Sequence, residues 1–363
     1  MTTQLTWSGN SGFGTLNGGT PSTGAPPAVL PYNGYLYVIY ATSHSDSPSL
    51  WQMVYDGTKW DGNTRVSFSN SSNPPQSLCG PALAELSGTL YLAWVTQPAS
   101  KSQHAQINVA SAKPLAGRKP ISSDKWTLLA GKDITGGSNT PSADTYPIAM
   151  VAYPYKGVDS LWLFYNYLGM LWFAIAQPQP NDVIKWVYWT DVGNWSAPIQ
   201  PKLGGGVTAA VVDYESYSAP YVVFTGSGGS NLYYVYFNPV ANQFEGNERV
   251  TSTKGNTGDI KTASNPTLFA FPDPANRTSP MPALLLYQGQ HGSSVDVALF
   301  KNGSWSGNVE ISSASKDHGM GGPINPTINP PTNIGIGAAY YDTAHQIVMV
   351  YQSASAYGTF SES

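Results

Sequence analysis

The stretch Met53-Val54-Tyr55-Asp56-Gly57-Thr58-Lys59-Trp60-Asp61-Gly62 decides the fold. An alternating apolar run ends at its Asp-Gly turn, and a Trp then opens a second alternating run. Asp-Gly between two such runs predicts a β-hairpin, because both central positions of the turn tolerate a positive φ. A turn followed by an aromatic recurs along the chain, which indicates an internal repeat. The other copies are Phe300-Lys301-Asn302-Gly303-Ser304-Trp305, Asp191-Val192-Gly193-Asn194-Trp195, Asp124-Lys125-Trp126 and Asn242-Gln243-Phe244.

A second recurring unit combines a short strand of small apolar residues, a break and an aromatic-rich strand. Its copies start near residues 27, 81, 147, 208, 266 and 335. Four short strands cannot bury their apolar face alone, whereas a ring of such sheets buries each against its neighbours. The last unit lacks an outer strand, and residues 3–9 around Trp7 can supply it. We therefore predict an all-β fold: a six-bladed β-propeller with four-stranded blades, a single domain over residues 1–363, closed by the N-terminal strand.

Composition narrows the classes of function. Charged residues make up 10% of the chain and the net charge is −4, without the basic stripe that binding to nucleic acid requires. No apolar stretch approaches the ~20 residues that span a bilayer, so membrane insertion is not expected. The first residues lack the basic region and apolar core of a signal peptide. This predicts a protein that is cytoplasmic, or exported without such a peptide, and leaves the oligomeric state open.

Candidates for metal binding and for thiol chemistry are few. Cys79 is the one cysteine, so no intramolecular disulfide can form. The five histidines are scattered without the paired spacing of a metal site, and no cofactor or metal is expected. The histidines are His44, His104, His291, His318 and His345.

The carboxylates give no clear catalytic pair. A glycosidase needs two carboxylates flanking the bond that it cleaves, and a propeller sialidase would need an arginine triad. Carboxylates follow or end several first strands, but nothing in the sequence pairs them, and only four arginines are present. The sequence therefore predicts that the protein is not an enzyme. The carboxylates are Asp213, Glu215, Asp273 and Asp342, and the arginines are Arg65, Arg118, Arg249 and Arg277.

The blade pattern and the phrase Val54-Tyr55-Asp56-Gly57-Thr58-Lys59-Trp60 resemble the fungal fucose-binding lectin family, six-bladed propellers whose blades end in a similar turn and Trp. The resemblance implies sites between blades, each with an Arg from a second strand, a Glu from a third strand and an aromatic of the adjoining blade. The third-strand position of blade one holds Gln52, so specificity for fucose does not transfer. The second-strand positions hold Tyr37, Tyr91, Trp162, Tyr221, Leu284 and Val348.

The leading hypothesis from sequence is a non-catalytic, multivalent lectin, an agglutinin with several weak sites between blades. Aromatic and amide side chains suit neutral glycans, which would be the partners. Two alternatives stay open: a propeller enzyme, glycosidase-like or acting on a small molecule through one central site, and a protein-binding scaffold. The candidate ligand-binding residues are Tyr32, Tyr37, Gln52, Tyr91, Tyr153, Trp162, Asp213, Tyr214, Tyr221, Phe271, Tyr341 and Asp342.

Overall fold

The fold was determined from a computed structural model of the chain. The structure describes residues 5–13, 16, 21, 23–42, 49–77, 79–96, 105–114, 119–132, 135, 140–195, 200–214, 217–255, 257–270, 282–289, 295–301, 303–310, 320–321, 335–342, 346–351 and 356–362. Among these residues no helix has the length and hydropathy that crossing a membrane requires.

Strands dominate the described part, and one short 3₁₀ helix (Val192–Trp195) accompanies them. The first half contains β1 (Leu5–Gly12), β2 (Ala28–Tyr32), β3 (Tyr35–Ala41), β4 (Leu50–Tyr55), β5 (Trp60–Arg65), β6 (Ala82–Leu86), β7 (Thr89–Val95), β8 (Ala105–Ala112), β9 (Thr127–Leu128), β10 (Ala130–Lys132), β11 (Ser142–Ala143), β12 (Ala149–Ala152), β13 (Leu161–Tyr167), β14 (Met170–Gln179) and β15 (Val183–Asp191). The second half contains β16 (Leu203–Tyr214), β17 (Tyr217–Gly226), β18 (Leu232–Asn238), β19 (Gln243–Arg249), β20 (Thr251–Gly255), β21 (Gly258–Asp259), β22 (Thr267–Ala270), β23 (Ala283–Gln288), β24 (Val295–Lys301), β25 (Ser304–Glu310), β26 (Met320–Gly321), β27 (Ile336–Tyr341), β28 (Gln346–Tyr351) and β29 (Ala356–Glu362).

The described strands form six sheets, each with a core of four antiparallel strands. From the inside outward their orders are β2-β3-β4-β5; β6-β7-β8-β11, with β9 also on β8; β12-β13-β14-β15-β10; β16-β17-β18-β19; β22-β23-β24-β25-β20-β21; and β27-β28-β29-β1-β26. The four core strands of the other sheets come from nearby parts of the chain, whereas the last sheet pairs β1 with β29, Trp7 opposite Phe360. The fold is an all-β propeller with four-stranded blades, which confirms this part of the prediction from sequence.

The innermost strands surround a narrow channel. β2, β6, β12, β16, β22 and β27 contact one another in cyclic order and line a space of about 110 Å³. Small residues permit this close approach: a Cβ added to Gly337 of β27 would lie 2.2 Å from the carbonyl oxygen of Pro27. Real Cβ atoms do not come so close to backbone, so the junction between β27 and β2 requires glycine.

A β-bulge with the sequence aromatic-x-Gly-Asn recurs in the fourth strands. It lies at Trp60–Asn63, Phe244–Asn247 and Trp305–Asn308, and the strand register shifts at each. Gly307 has a φ of 110° and Asn308 a φ of 66°, values that favour these two residue types. The Asn308 amide oxygen accepts a hydrogen bond of 2.6 Å from the Tyr287 hydroxyl of the same sheet. Bulges strengthen the twist of these outer strands.

Candidate functional site

Two predicted ligand residues, Tyr32 and Tyr341, connect neighbouring sheets. Each ends an innermost strand, and both are buried. The Tyr32 hydroxyl donates to the carbonyl oxygen of Gly88 at 2.7 Å, and the Tyr341 hydroxyl donates to that of Gly34 at 2.7 Å. Gly34 and Gly88 belong to the hairpin turn after the innermost strand of the next sheet. Burial raises the pKa of Tyr32 to about 12. The same inter-sheet hydrogen bond therefore occurs at two junctions.

Two more predicted residues, Tyr37 and Gln52, belong to a buried hydrogen-bond network. The Gln52 amide nitrogen donates to the Ile121 carbonyl at 2.6 Å, and its amide oxygen accepts from the Trp126 indole at 2.9 Å. The Ile121 amide donates to the Tyr37 hydroxyl at 2.7 Å. All four side chains are buried, so this network ties the first sheet to the chain segment that enters β9. Burial raises the pKa of Tyr37 to about 12.

The remaining predicted second-strand aromatics pack in the cores between sheets. Trp162 and Tyr221 are buried, and each contacts a ring of the next sheet: Trp162 lies 4.9 Å from Phe237 and Tyr221 lies 4.9 Å from Phe300, measured between ring centroids. Tyr91 is buried, and that burial raises its pKa. Half-buried Tyr153 contacts Trp162 edge-on and accepts its indole hydrogen bond through the backbone carbonyl, 3.0 Å away.

Of the last four predicted residues, two have described side chains, Asp213 and Asp342. Asp213 accepts a hydrogen bond from the Ser218 hydroxyl within one hairpin, and Asp342 is exposed after β27. Tyr214 ends β16, and its side chain lies outside the described part, as does all of Phe271. As ligand contacts the twelve residues stay predictions. The structure spreads the described ones over separate sheets and buries most of them.

A cavity of about 420 Å³ lies at the mouth of the channel, within the ~300–1,000 Å³ typical of small-molecule sites. Its walls are residues that precede or begin the innermost strands, together with the turn after β17. Because the predicted aromatics such as Tyr32 end those strands, they lie toward the opposite end of the ring. The cavity is lined by Gly24, Ala25, Pro26, Cys79, Thr145, Tyr146, Pro147, Gly204, Gly205, Thr225, Gly229, Ser230, Thr262, Ala263, Ser264 and Asn265.

The described cavity lining carries no charged side chain. The two described arginines lie elsewhere: Arg65 ends β5, and Arg249 at the end of β19 pairs with Asp259 at 2.5 Å. Cys79 is buried in the cavity wall, and burial raises its thiol pKa to about 11, which keeps the thiol neutral and unreactive. Within the described ranges no group of three or more His, Cys, Asp or Glu can hold a metal ion.

One carboxylate adjoins the cavity. Asp144 immediately precedes the lining residues Thr145 and Tyr146 and is half-buried. Its backbone amide donates to the Asn166 carbonyl at 2.8 Å, and its own carbonyl accepts from the Tyr146 amide at 2.8 Å. These bonds fix the backbone at both sides of Thr145. The carboxylate itself has no hydrogen-bond partner in the described part of the chain.

The site was not visible in the sequence because its residues are ordinary loop residues far apart in the chain. Ser264, Thr225 and Thr145 come together only when the ring closes. One sequence signal could have located the site. Prolines such as Pro147 and Pro266 lie just before innermost strands, and the segments around them line the mouth of the channel.

Comparisons with known proteins identify the fold. No protein-family profile matches the chain, and no curated protein sequence matches it. Among solved structures, it is similar to the Penicillium chrysogenum alpha-L-arabinanase, with a TM-score of 0.60, 13% identity and coverage of 98% of each chain. It is also similar to a Fusarium graminearum alpha-L-arabinofuranosidase, with a TM-score of 0.58, 10% identity and coverage of 100% of this chain and 98% of that one.

A third likeness is to the Trypanosoma rangeli sialidase, with a TM-score of 0.54 and 9% identity. It covers 93% of this chain and 54% of the sialidase, so the chain spans about half the length of that protein. At such identities the likenesses show a shared propeller fold.

These findings correct the hypotheses of a lectin and of a non-enzyme. The similar solved structures are glycosidases, among them complexes with arabinobiose and with an iminosugar inhibitor, and nothing in them supports the fucose-binding lectin family. The lectin hypothesis had rested on aromatic residues distributed over the repeats. Three of these aromatics, Tyr37, Trp162 and Tyr221, are buried in the structure.

Proposed function

We propose that the protein is a propeller enzyme that acts on a glycan, glycosidase-like, through one site in the cavity at the channel mouth. The observation that carries the proposal is the cavity itself: about 420 Å³, open to solvent and walled by segments from several sheets. The similarity to an arabinanase, an arabinofuranosidase and a sialidase supports it.

We further propose that each of the six sheets is one blade of a single six-bladed domain, closed by β1. The cyclic contacts of the innermost strands and the pairing of β1 with β29 support this count.

Asp144 is our candidate for proton transfer in the reaction. Glycoside cleavage needs a carboxyl group that protonates the leaving oxygen and a second carboxylate. Asp144 lies next to the cavity lining, and its carboxyl group is not occupied by any described partner. The described lining offers no carboxylate that could take the second role.

The test measures hydrolysis of arabinan, aryl arabinofuranosides and sialyl-lactose by the purified protein and by Asp144→Asn. We expect turnover of at least one of these glycans, and a loss of about 100-fold or more in kcat for the variant. The matched control is Asp182→Asn, an exposed residue in the turn between β14 and β15 with a φ of 56° that Asn tolerates. Absence of turnover on every glycan, or equal loss in both variants, would contradict the proposal.

A further inference from the structure

Tyr146 stands at the lip of the cavity and presents an aromatic surface there. It is 40% exposed, which sets it apart from the buried tyrosines of the sheet junctions. It is also the only aromatic among the described lining residues. Its backbone is held from both sides, by the hydrogen bond to Asp144 and by Pro147, whose carbonyl accepts from Val207 at 3.2 Å. A ring on such a fixed backbone loses little freedom when a ligand covers it.

The described wall behind Tyr146 combines small apolar residues with polar groups that carry no charge. Threonine and serine hydroxyls, the Asn265 amide and glycine backbone line it. Thr262 is already engaged, because its hydroxyl donates to the Ser264 carbonyl at 2.8 Å. Ser264 differs: it is 6% exposed, and its hydroxyl oxygen is buried without a partner in the described part of the chain. An unpaired buried hydroxyl costs free energy, and rotation toward the cavity would give it a ligand hydroxyl as a partner.

We propose that the cavity takes a neutral sugar ring, with its C–H face on Tyr146 and its hydroxyls on the serine, threonine and backbone groups of the wall. This inference rests on the proposed function and adds the substrate class to it. A sugar carboxylate would need a cationic partner to offset its desolvation. Lys202 and Lys261 are close in sequence to the lining, but both are exposed and neither lines the cavity. Tyr146 is thus a specificity-determining residue for neutral glycans.

The experiment measures equilibrium binding without turnover, by titration calorimetry and saturation-transfer NMR, with arabinobiose and N-acetylneuraminic acid as probes. We expect arabinobiose to bind and N-acetylneuraminic acid to bind at least about tenfold more weakly. Tyr146→Ala should weaken arabinobiose binding about tenfold, whereas Tyr146→Phe should keep it within about twofold, since the ring face carries the contact. Val240→Ala, at a residue 84% exposed in the turn after β18, serves as the matched control and should change nothing.

Several outcomes overturn the inference: tighter binding of N-acetylneuraminic acid, no binding of either probe, or full affinity in a folded Tyr146→Ala protein. Melting curves establish folding, and Ser264→Ala gives an independent reading, with an expected loss of about threefold or more in affinity. A different result would refute the proposed function alone. Neutral sugar binding that depends on Tyr146, without hydrolysis of any glycan, would support this inference while refuting the enzymatic role.

Discussion

The two ends of the innermost strands differ in how their polar groups are used. At the end where these strands finish, the hydroxyls of Tyr32 and Tyr341 donate to backbone carbonyls of the next sheet. At the end where they begin, Ser264 has a buried hydroxyl without a described partner and Tyr146 is exposed beside a cavity. An aromatic whose hydroxyl is satisfied across a sheet junction stabilises the fold. Exposed rings and unpaired hydroxyls around an open space indicate a binding site.

The largest expected effect on stability comes from a substitution at the close contact between the innermost strands β27 and β2. Gly337→Val should lower the free energy of unfolding by about 3 kcal/mol or more, because even a Cβ there would lie 2.2 Å from the Pro27 carbonyl oxygen. Chemical denaturation measures this. Gly229→Ala is the control, since a Cβ there meets only one atom, at 4.0 Å. Equal stability of the two variants would disprove the close contact between β27 and β2.

The second-largest effect is expected from loss of the buried hydrogen-bond network around Gln52. Gln52→Leu removes the partners of the Ile121 carbonyl and the Trp126 indole, which should cost about 2–3 kcal/mol of unfolding free energy. Glycan turnover per folded molecule should not change. Gln243→Leu, an exposed residue of β19, should leave stability within about 0.5 kcal/mol. A lower affinity for glycan in a stably folded Gln52→Leu protein would support Gln52 as a ligand residue and contradict the placement of the site in the cavity.

The stability of the protein should fall in alkaline solution. Burial raises the pKa of Tyr32 and Tyr37 to about 12, against 10.0 for the free side chain. Above pH 10 the unfolded chain loses these protons while the folded chain keeps them, so their contribution is present below pH 10 and is lost as pH rises toward 12. Urea midpoints at pH 9 and 11 measure this loss. Tyr32→Phe should reduce the difference between the two midpoints; an unchanged difference would argue against the burial of that hydroxyl.

The smallest expected effect on stability comes from removing one hydrogen bond between two sheets. Tyr32→Phe and Tyr341→Phe each leave one backbone carbonyl without its donor, and each should cost about 1 kcal/mol at neutral pH. Neither should alter the hydrolysis of a glycan, because both residues lie away from the cavity. A selective loss of kcat/KM in either variant, at unchanged melting temperature, would place the site at the wrong end of the ring.

The fold could be predicted from sequence because hairpin turns and alternation are local signals. Asp56-Gly57 and the recurring units are sufficient to predict a propeller, whereas the bulge at Gly62 and Asn63 follows from backbone geometry that the hairpin signal does not include. The site could not be predicted in this way. Alternation places Tyr37 and Tyr221 on one face of a strand but does not say whether a neighbouring sheet covers that face. The cavity depends on ring closure, which brings Thr145 and Ser264 together from separate repeats.

The most direct test of the central claim is a crystal structure of the Asp144→Asn protein with the glycan that the parent protein hydrolyses best. The account predicts a sugar ring in the cavity at the channel mouth, in contact with Tyr146, and one such site per chain. Sugar bound instead between sheets, against Tyr153 or Asp342 at the far ends of the innermost strands, would contradict it.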